Sequence, residues 1–326
     1  MSLLCFYESV IRTECTFNIA LGERITRHKR IPSSLLPSQS HLKGLELKIH
    51  PDANEGHAHI GVLTVPFHDT GAAGDSRETV VLVHGTGGSA KAHFRTLFPM
   101  LAARYRVLAV DLQTPQGELT LRALSEQVAG VIDHRAPAQP VHVVGYSLGA
   151  LVAADLAAAR PGSVSSLTLV SGWVRADTQQ RLRNRIWNRL FESDQDLLRE
   201  FVTWTAYGHP FLAGRGDAEL QALVDARTFP EGIAEQMRLN AVADLGGKLA
   251  AITVPSLVIA GAHDQMVPAR QTQLLFGGLP NARYAVIDSG HAVPYERPAQ
   301  LFQLISRFVD SPAASPAGEI QEQIFV

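Results

Sequence analysis

The chain has 326 residues, a formal net charge of −2, 46% hydrophobic and 18% charged residues: enough apolar material for one large domain, and none of the basic excess of a nucleic-acid binder. No apolar stretch reaches the ~20 residues that cross a bilayer, so no membrane span is expected. The only cysteines, Cys5 and Cys15, imply no disulfide framework, and Met1 to Leu21, broken by Glu8, Arg12 and Glu14, lacks the pattern of a secretory signal, so a cytoplasmic location is expected.

In chain order, residues 1–43 read as a flexible N-terminal extension. It has a basic cluster from Arg24 to Arg30 and a Ser/Pro stretch from Pro32 to Ser40, with a docking or targeting arm as the other reading. Strands are predicted near 45–49, 58–66, 79–84, 106–111, 141–146, 164–170, 255–261 and 283–288. Helical patterns fall near 90–103, 119–134, 148–160, 268–277 and 298–309. Such alternation predicts an α/β domain: a mostly parallel, eight-stranded sheet flanked by helices, built from 44–171 and 248–310. Between them, 172–247 has no convincing strand. Leu182, Ile186 and Leu190 fall four apart there, a spacing that predicts one apolar helix face. The tail, 311–326, is rich in Ser, Pro and Ala and is expected to be disordered.

The most informative local pattern is Gly145-Tyr146-Ser147-Leu148-Gly149, which follows the apolar run Val141-His142-Val143-Val144 and precedes a strongly helical run. A strand that turns sharply into a helix with serine at the apex is a nucleophile elbow. Other polar residues sit at predicted strand ends. His84-Gly85-Thr86-Gly87-Gly88 follows Thr79 to Val83, Asp264 follows Pro255 to Gly261, and His291 follows Tyr284 to Asp288. The order serine, aspartate, histidine is that of a serine-hydrolase fold, and the 27 residues from Asp264 to His291 hold one helix and one strand.

Together the stretches "VVLVHGTGG", "YRVLAVDL", "VHVVGYSLGA", "VPSLVIAGAHDQMVP" and "DSGHAVPYERP" resemble the α/β-hydrolase superfamily across about residues 45 to 310. The resemblance implies a helical cap, 172–247, inserted after the sixth strand. The chain departs from the family after Asp111, where Leu112-Gln113-Thr114-Pro115 replaces a Gly-rich run.

The expected catalytic residues are Ser147 as nucleophile, His291 as base and Asp264 as the group that orients it. Asp111 also ends a strand but precedes the serine, so it reads as structural. The oxyanion hole should use the backbone N–H groups of Leu148 and Thr86, with Gly87 as the alternative to Thr86. The Thr86 hydroxyl and His84 are expected to shape and hold that loop. Trp187, Phe191 and Trp204 are candidates for the substrate pocket, or else pack the cap onto the core.

Arg181, Arg185 and Arg189 read as a solvated face balanced by Glu192, Asp194 and Asp196. A sharper reading makes them receptors for an anionic substrate or a phosphopantetheine-bearing carrier. His57 and His59 read as a solvated pair, and the Gly-rich run after His84 matches neither nucleotide-binding pattern, so no metal and no cofactor are expected.

The reading is a serine hydrolase cleaving a carboxylic ester, thioester or lactone through an acyl-enzyme on Ser147. The partner would be a small-molecule acyl substrate with apolar bulk, with a carrier-protein or CoA thioester as a further candidate. The alternatives are an acyltransferase or carbon–carbon bond hydrolase on the same triad, and a ligand-binding, receptor-like module of the same fold. Carbon–carbon hydrolases of this family often have methionine after the serine, where this chain has Leu148.

Overall fold

The computed structural model describes residues 48–321 apart from 73, 74, 116 and 138. The extension with its cysteines and basic cluster lies outside the described residues, as does most of the strand expected at 45–49; Lys48 to His50 are not in a strand. The sheet begins with a hairpin, β1 (Asn54–Ile60) and β2 (Leu63–Asp69), paired from Asn54↔Asp69 to Ile60↔Leu63. The single strand expected at 58–66 is therefore the tip of this hairpin. The chain reverses at Gly61, whose φ of 59° suits glycine.

The α/β alternation then follows: β3 (Thr79–Val83), α1 (Ala90–Phe94), α2 (Leu97–Ala102), β4 (Arg106–Val110), α3 (Leu121–Arg135), β5 (Val141–Tyr146), α4 (Leu148–Ala159) and β6 (Val164–Val170). One helix was expected over 90–103. It breaks because Pro99 is tolerated in the first turn of α2, whereas in a continuous helix its ring would meet the carbonyl of Arg95. Five helices follow β6: α5 (Thr178–Ser193), α6 (Gln195–Ala206), α7 (His209–Ala213), α8 (Asp217–Asp225) and α9 (Ile233–Val242). The chain then returns through β7 (Ser256–Gly261), α10 (Ala269–Gly278), β8 (Ala282–Ile287), α11 (Val293–Glu296), α12 (Pro298–Asp310) and β9 (Ile320–Gln321).

Among the described residues the sheet has nine strands in the order β1-β2-β4-β3-β5-β6-β7-β8-β9; the β1–β2 and β2–β4 pairings are antiparallel and every other pairing is parallel. The ninth strand corrects two expectations, the count of eight and a tail without structure. Arg283 donates to the Ser315 carbonyl and Tyr284 N–H to the Glu319 carbonyl, 2.9 Å each, so residues 315–321 run along the otherwise open edge of β8. An unpaired strand edge is a ready template for such addition.

Side chains alternate across the sheet. Val80 and Leu82 of β3 pack with Phe94, Leu97, Leu101, Leu301 and Ile305, on the side of α1, α2 and α12. Val81 and Val83 pack with Leu124, Val128, Leu151 and Leu275, on the side of α3, α4 and α10. Both faces being covered explains why the parallel strands are continuous apolar runs. Among the described residues no helix is long and apolar enough to cross a membrane.

In α5 the expected apolar face is only partly inward: Leu190 packs against the buried Trp187 cluster, but its first two positions are turned outward. Leu182 is 48% and Ile186 38% exposed, whereas Gln180, Asn184 and Trp187 are buried. The start of this helix is set by a capping box, in which Asp177 accepts the Gln180 N–H at 2.9 Å and the Gln180 side chain accepts the Asp177 N–H at 3.2 Å. Cap and neighbours, not the Leu/Ile spacing, choose the inward face.

Candidate active site

Parallel strands all end at one edge of their sheet, and ligands of such folds bind at that edge where strand order reverses. Here β3 lies between β4 and β5, and the loops after β3, β5, β7 and β8 carry the polar residues singled out above. Ser147 follows the central strand β5 with φ 57° and ψ −121°, a conformation that costs a non-glycine residue about 1–3 kcal/mol. The turn is held from both sides, because the Ser147 N–H donates to the Val170 carbonyl and the Ser147 carbonyl accepts from Ala150, 2.9 Å each. The flanking glycines permit it. A Cβ on Gly145 would lie 2.2 Å from the Gly149 carbonyl oxygen, and one on Gly149 2.1 Å from that of Val83.

The geometry brings Ser147, His291 and Asp264 together. His291 Nδ1 lies 2.7 Å from Asp264 Oδ2, and His291 Nε2 lies 2.9 Å from Ser147 Oγ. A carboxylate accepts only, so Nδ1 carries the proton and Nε2 is left to accept from the serine hydroxyl. The other carboxylate oxygen, Asp264 Oδ1, accepts the N–H groups of Met266 and Val267 at 2.8 Å each. All three residues are buried. Tyr146, inside the pentapeptide, donates its hydroxyl to the His291 carbonyl at 3.1 Å. Burial pushes this phenol up, so it stays a donor.

The loop after β3 is braced at nearly every polar atom. His84 Nδ1 donates to the Gly85 carbonyl at 2.8 Å and its Nε2 accepts the Leu112 N–H at 2.9 Å, which leaves it no free nitrogen for base chemistry. His93 Nδ1 accepts the Gly85 N–H at 3.1 Å. Burial first, then repulsion from any charge on the neighbouring His84, Arg227 and His291, pushes His93 down to about 3, so it is the neutral acceptor this bond needs. The Gly87 N–H donates to Gln236 Oε1 at 2.8 Å, and Asn240 Nδ2 donates to the Thr86 hydroxyl at 2.9 Å. The N–H groups of Thr86 and Leu148 have no partner among the described residues.

Asp111 is placed differently. Its Oδ1 accepts the Ala90 N–H at 2.6 Å, at the start of α1, and its Oδ2 faces His68 Nε2 at 3.2 Å. It touches neither Ser147 nor His291.

The helical segment between β6 and β7 supplies residues that sequence reasoning passed over. Gln236 and Asn240 lie four apart on α9, one face of a helix, and that spacing was the available signal. Glu296 accepts the N–H groups of both Gly208 and Gly290 at 3.2 and 3.0 Å, tying the end of α6 to the histidine loop. Burial pushes this carboxyl up against the pull of those two N–H groups.

Of the aromatic candidates, Trp187 is buried and stacks on Phe191 with ring centres 4.8 Å apart, in a cluster with Leu198, Ile233, Met237 and Phe229. Trp204 is placed differently from Trp187. It is 58% exposed because it lies on the outer side of α6, away from the buried Thr203 and Thr205. The Arg181, Arg185 and Arg189 face is exposed as expected, but two of the three acids assigned to balance it are engaged elsewhere: Asp194 caps α6 and Asp196 pairs with Arg199. His57 and His59 are exposed, and among the described residues no three His, Cys, Asp or Glu side chains are grouped as metal ligands.

The sequence model of the alpha/beta hydrolase family matches residues 80–304. A pyrrolizixenacetamide deacetylase of Xenorhabdus hominickii is 26% identical over 240 residues, covering 71% of this chain and 90% of that protein. A pimeloyl-[acyl-carrier protein] methyl ester esterase of Aeromonas hydrophila is 29% identical over 248 residues, covering 71% and 94%. Among solved structures, the alpha/beta hydrolase MGS-M2 from a Medee basin deep-sea metagenome library superposes with a TM-score of 0.70 at 19% identity, covering 76% of this chain and 94% of that one. Sheet order, strand-end site and relatives agree: the chain belongs to the alpha/beta hydrolase family and is an enzyme of that type.

Proposed function

We propose that the protein is a serine hydrolase that cleaves a carboxylic ester, thioester or lactone through an acyl-enzyme on Ser147. The observation that carries this reading is the continuous hydrogen-bonded chain from Asp264 through His291 to Ser147, at 2.7 and 2.9 Å, ending on a strained, buried serine. Ser147 Oγ attacks the carbonyl carbon while His291 Nε2 takes its proton. The carbonyl oxygen becomes an oxyanion between the N–H groups of Thr86 and Leu148, donors aimed before the charge develops. With the Gly87 N–H committed to Gln236, Thr86 is the better second donor. His291 then returns the proton to the leaving oxygen or sulfur and the acyl-enzyme remains. Water, deprotonated by the same nitrogen, attacks it; the acid departs and Ser147 regains its proton. Asp264 stays ionised throughout and stabilises the imidazolium.

Residues 172–247 act as a cap over this site, consistent with the bonds from Gln236 and Asn240 to the oxyanion loop. The acyl substrate has apolar bulk. The relative named as a methyl ester esterase of an acyl-carrier protein makes a carrier-bound substrate a specific case to test. A fluorophosphonate probe should label the wild type stoichiometrically and Ser147→Ala not at all. Equal labelling of the two proteins rejects the assignment.

A further inference from the structure

Helix α5 buries polar side chains beside its apolar ones. On α5, Leu182 and Ile186 are exposed, whereas Asn184 is buried and the neighbouring Arg183 has a fully buried Nε without a partner. Arg183 Nη2 lies 3.4 Å from Thr205 Oγ1, and its guanidinium carbon is 5.8 Å from the centre of the Phe201 ring. Arg227 also reaches α6. Its Nε lies 3.4 Å from Thr203 Oγ1, its guanidinium carbon is 4.8 Å from the centre of the Tyr207 ring, and its Nη2 is buried without a partner. Neither arginine has a carboxylate within ion-pair distance among the described residues.

Both guanidiniums thus gather at the last turn of α6, the turn that meets the catalytic histidine. The Ala292 N–H donates to the Ala206 carbonyl at 2.9 Å, and Glu296 bridges Gly208 and Gly290. Downstream of Arg227, the segment reaches the oxyanion loop through Ile233, whose Cδ1 would lie 2.8 Å from a Cβ on Gly87.

Burying a guanidinium without a counter-charge is costly, and the C-terminal carbonyls of α6 offer only about half a charge between two cations. Burial pushes Arg183 down to about 10, opposed by the charge of Asp264; it remains a cation at neutral pH and lies near enough to the triad acid to feel it. Two cations with buried, unpartnered N–H groups and no carboxylate in ion-pair reach among the described residues fit a ligand that brings the missing negative charge.

We propose that Arg183 and Arg227, with Asn184 beside Arg183, form an anion-binding subsite of the substrate pocket, and that the substrate carries a free carboxylate away from the bond that is cut. This rests on the hydrolase reading above and names its substrate class.

The test uses matched pairs of esters. Monomethyl esters of linear dicarboxylic acids place the carboxylate on the acyl half, and acetate esters of ω-hydroxy acids place it on the alcohol half. Each is compared with the neutral compound of equal length. The wild type should prefer one charged series by about tenfold or more in kcat/KM, the scale of a charge-assisted hydrogen bond. In Arg183→Gln/Arg227→Gln that ratio should fall toward one, and Arg183→Lys should retain more of it than Arg183→Gln. A wild type that treats charged and neutral partners alike, or a folded double variant that keeps the full preference, overturns the proposal.

Calorimetry of glutarate on Ser147→Ala reads the subsite without turnover. Binding should be seen there and lost when Arg183→Gln and Arg227→Gln are added, and no binding before they are added counts against the subsite. Failure of the fluorophosphonate probe to label Ser147, with no turnover on any ester, rejects the hydrolase reading separately.

Discussion

Ser147 and the helices above it are held by different means. The serine is clamped between strands: its N–H is bonded to β6, its carbonyl to α4, and its flanking glycines are pressed against neighbouring backbone. The segment from α5 to α9 touches the same site only through side chains and helix ends, such as Gln236 on Gly87 and Asn240 on Thr86. Main-chain hydrogen bonds of a parallel sheet leave little room for adjustment, whereas side-chain contacts can change without moving the sheet. The core should therefore set the rate of the chemical step and the cap the choice of substrate.

Removing the nucleophile tests the core half of this contrast most severely. Ser147→Ala should lower kcat by at least about 10³, since substrate binding and the oxyanion donors still act. A smaller loss, measured on a chromogenic ester with the protein shown to be folded, would break the contrast.

Asp264→Asn should lower kcat by roughly 10²–10⁴ with the fold intact, because His291 would be held in the wrong tautomer. The other strand-end acid should behave oppositely, with Asp111→Asn keeping kcat within about tenfold and losing stability instead. Burial opposes ionisation of Asp111, but the bonds from His68 and the Ala90 N–H outweigh it and hold the carboxyl below its usual range. A depressed carboxyl stabilises the fold above its unfolded value, near ~3.9, and that contribution is lost as pH falls through the lower folded value. Urea denaturation of wild type and Asp111→Asn should show a gap at pH 7 that narrows in acid below about pH 4. A gap that widens in acid would reverse the assignment.

Within the cap, Trp187→Ala should cost about 3–5 kcal/mol of stability, because the ring fills a buried cluster with Phe191, Phe229 and Ile233. Gln236→Ala should act more weakly, lowering kcat several-fold, about 1 kcal/mol, as the Gly87 N–H loses its partner and the oxyanion loop its brace. The smallest effect belongs to Trp204→Ala, expected within about 0.5 kcal/mol of wild type because the ring is largely in solvent. A Trp204→Ala variant that shifts acyl-chain preference would show that the exposed side of α6 meets substrate.

Where a short apolar run must enter a sheet and a polar residue follows it at once, the local sequence is sufficient. Ser147, Asp264 and His291 could be read that way. A parallel sheet brings the ends of its strands to one edge whatever the intervening chain does, which is why Ser147 and His291, 144 residues apart, stand 2.9 Å from each other. Composition and motif order likewise carried the α/β class. The hairpin at Gly61 was missed because an apolar run of that length reads as one strand until its partner is known. The tail strand depends on an open edge of β8 that no local pattern announces.

The cap was least legible. Helical periodicity marks which residues share a face but not which face meets the core, and Leu182 with Ile186 pointed the wrong way. The burial of Arg183 and Arg227, and the lack of a carboxylate within ion-pair distance among the described residues, arise only when α5, α6 and the segment before α9 pack together. That packing decides what the site can recognise, because burial and the absence of a counter-charge are properties of the assembled interior and not of any stretch of chain.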